Sequence, residues 1–202
     1  MSAINRDFFF SHARSTLFGG KLRQTQTDGL TAILDEWERS YAKSDDRWLA
    51  YILGTTHHET DRTMQPINEY GSDARKKRLY DVEGENPARA RKMGNTEPSD
   101  GVKYAGRGFV QLTWKNNYET LGERIGVDLA KRPDRALELP VATQILIVGM
   151  IEGLFTGRKL GAYFNKTDAD WKRARYIVNG QDKAELVGDY GRNYYACISY
   201  TT

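Results

Sequence analysis

Leu49-Ala50-Tyr51-Ile52-Leu53-Gly54-Thr55-Thr56-His57-His58-Glu59-Thr60 is an apolar helical run that carries a carboxylate to its end and stops in polar residues. Asp45 and Asp46 stand just before it as helix caps. The spacing predicts a helix through Trp48, Leu49, Ile52 and Leu53 that ends at about His58. Upstream, Leu30, Ile33, Leu34 and Trp37 recur at i, i+3, i+4 and i+7, the apolar stripe of an amphipathic helix. Downstream, Tyr118, Leu121 and Ile125 mark another, ended near Gly126. Residues 140–155 predict a more buried one with Pro140 at its start. Asp168 is placed to cap a helix through Trp171, Ala174 and Val178, with Asn179-Gly180 as its left-handed end. Leu186 to Tyr200 predicts a terminal helix.

Residues 60–104 read differently. They are rich in Gly, Asn, Asp and charge and have few apolar anchors. Long loops and short helical turns are expected, forming a small loop-rich lobe. Phe109-Val110-Gln111-Leu112-Thr113 is a short strand candidate after Gly106-Arg107-Gly108. The fold expected is mainly α, an α+β arrangement with a small β element. No repeat or linker divides the chain, so 1–202 is read as a single catalytic domain.

Bulk properties narrow the function classes. A chain of 202 residues buries enough surface to need no covalent staple. One cysteine, Cys197, excludes an intramolecular disulfide and fits a reducing compartment. The opening Met1-Ser2-Ala3-Ile4-Asn5-Arg6-Asp7 is charged too early for a secretion signal. The longest apolar run, Ile145 to Ile151, is far short of the ~20 residues that span a bilayer. Synthesis in the cytoplasm and no stable membrane insertion are expected. Net charge is +3 with a pI near 8.9, which favours approach to a polyanion such as a bacterial cell wall, nucleic acid or an acidic membrane. The cluster Arg75-Lys76-Lys77-Arg78, with Arg89, Arg91 and Lys92, reads as a solvated helix face. No zinc-finger spacing or RNP-like aromatic motif supports nucleic-acid binding.

Two acids carry the chemistry. Glu59 ends the apolar helix, a setting that suits a general acid. It could also simply pair with a neighbouring arginine, and Arg62 and Arg107 are available. Glu69 lies ten residues on, in the polar Ile67-Asn68-Glu69-Tyr70-Gly71. His57-His58-Glu59 invites a metal reading, but the zinc-protease pattern needs a second histidine four residues on. Those positions are Asp61 and Arg62, so no metal is expected, and no cofactor either. Gly106-Arg107-Gly108 lacks the lysine and hydroxyl of a phosphate loop and reads as a tight backbone passage along a groove. Gln111 and Thr113 would face that groove, and Val110 and Leu112 the core. Tyr104, Trp114 and Tyr118 are candidate sugar platforms. Paired carboxylates with amide and hydroxyl groups on a buried scaffold are the working parts of a glycosidase.

From about Trp48 to Gly180 the chain resembles the family 19 glycoside hydrolases: plant-type chitinases and related phage endolysins, with a lysozyme-like fold. His58-Glu59-Thr60 resembles the family's His-Glu-Thr signature, which implies that Glu59 is the general acid. Glu69-Tyr70-Gly71 resembles the context of the second acid. Gly106 to Thr113, Asn117-Tyr118, Ile125 to Leu129, Pro133-Asp134 and Ile177-Val178-Asn179-Gly180 follow in family order. The resemblance implies catalysis by Glu59, Glu69 and Thr113. It implies substrate contacts from His58, Tyr104, Arg107, Gln111, Trp114, Asn117 and Asn179 along a groove lined by the loop-rich lobe. Asp61 and Arg62 replace glycines that often follow the signature, and the family's late arginine has no clear counterpart, its aligned position falling near Asp189. The short spacing between the acids resembles the endolysin branch, which cuts peptidoglycan glycan strands. The expectation is a monomeric, inverting, β-1,4-specific wall hydrolase that reaches the wall through a holin-type pore. A chitinase, or a wall-binding protein without catalysis, are the alternatives.

Overall fold

The computed structural model describes residues 4–199. It is mainly helical with one two-stranded sheet. Among the described residues, no helix is long and apolar enough to cross a membrane. The chain separates into two compact units. One contains everything up to Gln65 together with Leu146 onward; the other is Pro66–Ile145.

The first unit is built on α1 (Arg6–Thr16), α2 (Gln24–Ser40), α3 (Asp46–Glu59) and α9 (Ala184–Ile198). The Asp45 carboxylate accepts from the Arg47 N–H and starts α3 as expected. From Leu49 to His57 every residue of α3 is buried, so the helix is central rather than one-faced. It packs along α9, and the two backbones touch where glycines meet. A Cβ on Gly54 would lie 2.6 Å from the Gly191 nitrogen. On α2, Leu30, Ile33, Leu34 and Trp37 are all buried, as the stripe predicts. The terminal helix runs over Ala184–Ile198, and Tyr200, its expected end, lies outside the described residues.

The helix expected from Asp168 does not form. Phe164 bridges Ala169, and the Asn165 side chain accepts from the N–H groups of Thr167 and Asp168. Arg47 clamps the Asn165 and Asp168 carbonyls at 2.8 and 3.0 Å. These non-local bonds hold a turn where local propensity favoured a helix. The cap moves to Asp170, whose carboxylate accepts from the Arg173 N–H, and only a 3-10 turn, Arg173–Ile177, follows. Neither Asn179 nor Gly180 is left-handed.

The second unit holds α4 (Asp73–Tyr80), α5 (Pro87–Lys92), α6 (Asp100–Lys103), α7 (Lys115–Ile125) and a 3-10 turn at Pro133–Leu137. The helix α8 (Leu139–Glu152) begins in this unit and ends in the other. Gly126 ends α7 at φ 70°, as expected. The short helices are tied by buried polar residues rather than by an apolar face; α4 buries none of its residues. The Asp81 carboxylate accepts from Ser99 and Gly101, and that of Asp100 from Thr96 and Glu97. The sheet pairs β1 (Ile67–Asn68) with β2 (Arg107–Gly108), antiparallel, Ile67 opposite Gly108.

The strand expected over Phe109–Thr113 is instead a hairpin. Arg107 and Leu112 exchange both backbone hydrogen bonds, 3.1 and 2.8 Å, and the chain reverses between them. Gly108 and Gln111 take positive φ to make the turn. Val110 and Leu112 are buried, and Gln111 and Thr113 are half-buried. The side chains partition as alternation predicts although the backbone is not extended.

Candidate functional site

Glu59 occupies the last turn of α3, and its side chain keeps 16% of its surface. Its Oε1 accepts from Arg175 Nη1 at 2.5 Å. Arg175 is 2% exposed and sits on the 3-10 turn, with its Nε donating to the Asp182 carbonyl at 3.0 Å. The arginine at Glu59 is therefore neither Arg62 nor Arg107. Arg175 escaped the sequence reading because a 3-10 turn has no 3.6-residue stripe to mark its inward side. An arginine within the otherwise apolar and aromatic run Ala174-Arg175-Tyr176-Ile177-Val178 was the available signal.

The rest of the signature divides its labour. The Thr60 hydroxyl donates to the Thr56 carbonyl at 2.7 Å and accepts from the Met64 N–H at 3.1 Å, closing the helix and aiming its last turn. His58 is half-buried; burial lowers its pKa, with Glu59 opposing and Arg175 assisting. His57 is fully buried, 3.0 Å from the Tyr194 hydroxyl through Nδ1, with Nε2 unpartnered. Burial, and then the charge of Arg62, lower its pKa to about 4. It is a neutral core residue. Two turns before Glu59, the buried Tyr51 hydroxyl has no partner and is pushed up in pKa by burial. Asn179 is exposed, its Oδ1 accepting from the Gly180 N–H at 2.8 Å.

Glu69 is built by the sheet of the second unit. Its N–H donates to the Gly106 carbonyl at 2.8 Å, and its Oε2 accepts from the Gly106 N–H at 3.1 Å. Its Oε1 accepts from the Tyr80 hydroxyl at 2.9 Å and lies 3.7 Å from Arg75 Nη1. The side chain keeps 14% of its surface. Glycine at 106 is required by this approach. A Cβ there would lie 2.8 Å from Gln111 Oε1 and 3.2 Å from Glu69 Oε2, so those two oxygens flank the same backbone. Burial, then the bond to Glu69, push Tyr80 up to about 12. Its ring packs nearly perpendicular to that of Trp114 with centroids 5.1 Å apart, and the Arg89 guanidinium covers Trp114 at 5.4 Å. Sequence reasoning missed Tyr80, which lies in a strongly charged helix with no motif around it.

Several expected contacts with substrate are spent on the fold. Tyr104, Trp114 and Tyr118 are buried and offer no platform. Tyr104 donates to the Ala130 carbonyl and Tyr118 to that of Ala105; burial raises Tyr118 to about 12. Arg107 donates to the Lys103 and Ala105 carbonyls and to Tyr118, while its Nε meets Asp134 at 3.0 Å as a charge contact outside hydrogen-bond geometry. Gln111 Nε2 donates to the Ile67 and Gly108 carbonyls at 3.0 and 3.3 Å, leaving Oε1. Asn117 Nδ2 donates to the Thr113 carbonyl. Thr113 donates to the Gln111 carbonyl at 2.9 Å, so its oxygen is left only as an acceptor. Among the described residues the large exposed aromatics are Tyr70 beside Glu69, Tyr176 beside Arg175, and Tyr195 on α9.

The family model described as chitinase class I matches residues 39–147. Endochitinase A2 of Pisum sativum is 34% identical over 98 residues, 47% of this chain and 29% of that protein. The chain thus spans under a third of that curated relative. Among solved structures, chitinase C from Streptomyces griseus superposes with a TM-score of 0.63 at 20% identity, over 99% of this chain and 94% of that one. A bacterial family 19 chitinase gives 0.53 at 18% identity, over 98% and 96%. The likeness to these structures confirms the lysozyme-like α-rich fold.

Proposed function

The chain belongs to family 19 of the glycoside hydrolases, and on that premise we propose that it cleaves the β-1,4 bonds of peptidoglycan glycan strands from within, with inversion. The observation that carries the reading is the matching treatment of two acids. Each is mostly enclosed and held by fixed donors, Glu59 through Oε1 by Arg175 and Glu69 through both oxygens by Gly106 and Tyr80, and each keeps a part of its surface exposed.

In this mechanism Glu59 gives its proton to the leaving glycosidic oxygen as the C–O bond breaks. Arg175 holds Oε1, which leaves Oε2 for the transfer, and stabilises the carboxylate that remains. Glu69 takes a proton from water as that water attacks the anomeric carbon. The donors from Gly106 and Tyr80 fix its orientation before the reaction. The Thr113 oxygen, an acceptor only, accepts a hydrogen bond from the O–H that the water keeps, and Gln111 Oε1 stands beside Glu69 across Gly106. Inversion needs carboxylates roughly 6.5–9.5 Å apart so that water fits between them. No residue in this scheme requires a cofactor. A monomer is sufficient, and entry to the wall is through a membrane pore.

Chitin is the second reading, favoured by the names of the relatives. Mass spectrometry of purified peptidoglycan after digestion identifies the bond through its new reducing end. Chitin oligomers run in parallel separate the substrates: turnover of chitin with intact peptidoglycan would overturn the wall assignment. Wall affinity that survives loss of both acids, with no turnover in the unaltered protein, would support a binding protein instead.

A further inference from the structure

The segment that follows Glu59 is strained in a way that local sequence does not require. Asp61, Arg62 and Met64 have φ of 45°, 64° and 54°. None is glycine, and left-handed backbone typically costs about 1 kcal/mol or more for such residues. Surrounding structure enforces it. The Gln26 side chain donates to the Arg62 carbonyl at 2.8 Å, and Gln65 donates to the Thr25 carbonyl. Gly29 leaves room for the Met64 carbonyl, since a Cβ there would lie 1.7 Å from that oxygen. Strain kept by several independent contacts points to a use for the side chains it displays.

Two of the three, Asp61 and Arg62, line a cavity of about 700 Å³ that lies wholly within the first unit, while Met64 is buried. Arg14, Lys21, Arg23 and Arg62 line it, with Phe18 as an apolar wall and Asp61 as the one acid. None of the four cations has an ion pair among the described residues. Arg14 also borders a smaller neighbouring pocket that contains Asp7, too distant for a salt bridge. Four cations against one acid, on concave walls, focus a positive field. All four are exposed residues bordering one concavity.

We propose that this cavity is a secondary binding site for the oxyanions of a charged wall polymer, held while the glycan passes Glu59. It rests on the peptidoglycan reading and deepens it, because peptidoglycan strands carry peptide carboxylates whereas chitin is neutral. The same chemistry is offered by phosphodiesters of wall-attached polymers. Guanidinium groups suit both, through paired N–H donors.

The test uses the full chain with Glu59→Gln, so that binding is read without turnover. Lys21→Glu and Arg23→Glu are introduced together; both side chains are exposed, and melting temperature checks the fold. Binding to phosphate-free peptidoglycan, phosphate-bearing wall and insoluble chitin is measured by sedimentation at low and high salt. Titration with a soluble peptide-bearing disaccharide reads the site directly, whatever polymer the enzyme cuts. The expected result is a loss of about tenfold on the anionic ligands, with a weaker salt dependence and no change on chitin. Loss on phosphate-free peptidoglycan assigns the carboxylates; loss on phosphate-bearing wall alone assigns the phosphodiesters. Unchanged binding to all anionic ligands, or equal loss on chitin, would overturn the site. Arg62→Gly supplies a second readout: a higher melting temperature with weaker anion binding. A higher melting temperature with unchanged anion binding removes Arg62 from the site. Digestion of chitin but not peptidoglycan by the unaltered protein would overturn the substrate reading alone, since the soluble titration still decides the cavity.

Discussion

Glu59 closes a fourteen-residue helix whose body is buried, while Glu69 follows a two-residue strand among short helices that bury almost nothing apolar. The first acid inherits its place from hydrophobic packing. Once α3 lies against α9, the end of the helix is set to within a turn, and Thr60 and Arg175 complete the position. The second acid inherits its place from hydrogen bonds: with the Gly106 backbone on both sides and from the Tyr80 hydroxyl of α4. Packing is redundant and tolerates small losses. A hydrogen-bonded scaffold concentrates its cost in a few groups, each worth about 1 kcal/mol net. The Glu69 side should therefore lose function with less loss of stability than the Glu59 side.

The most severe test removes the acids. Glu59→Gln and Glu69→Gln should each reduce wall lysis by on the order of 100- to 10,000-fold with the fold retained. Glu83→Gln and Glu85→Gln should leave it near its original level; Glu85 pairs with Arg78 at the surface. Lysis assays on the four variants decide whether the pair has been placed correctly, and activity within a few-fold of the parent in Glu59→Gln would sink it.

The hairpin tests whether core and groove are separable within the second unit. Leu112→Ala should cost roughly 2–5 kcal/mol as a core truncation. Thr113→Ala should cost only about 1 kcal/mol yet cut turnover by tenfold or more. Chemical denaturation and initial rates on both would show the opposite pattern if the two side chains have been assigned to the wrong sides.

His57 gives the first unit a pH signature. Unfolded, it takes a proton near 6.5; folded, only near 4. Between those values the unfolded chain binds more protons, so stability falls as pH drops through that window, by on the order of 2 kcal/mol. His57→Gln should flatten that part of the profile. Urea midpoints across the range check it, and an unaltered slope in the variant would assign the acid sensitivity to other groups.

The mildest change is Tyr80→Phe. It deletes one donor to Glu69 and leaves the ring against Trp114. Turnover should fall by about tenfold with stability changed by about 1 kcal/mol. A loss in melting temperature as large as that of Leu112→Ala would show that Tyr80 belongs to the core of the second unit.

The chain alone specified α2, α3, α7 and the end of α3 at its carboxylate, because periodic burial and capping are local properties that residue order displays. It also specified which residues around Gln111 turn inward, even though the backbone there folds back. Other features waited for tertiary structure. The turn at Asn165 defeated the helix expected from Asp168 because Arg47, far off in sequence, holds its carbonyls. Tyr104, Trp114 and Tyr118 look like sugar platforms in sequence, and only burial shows them as fold residues. Arg175 and Tyr80 reach the acids across 116 and 11 residues of chain. Such pairings depend on where separate elements come to rest, and that is fixed by the sum of packing over the unit, not by any pattern within one segment.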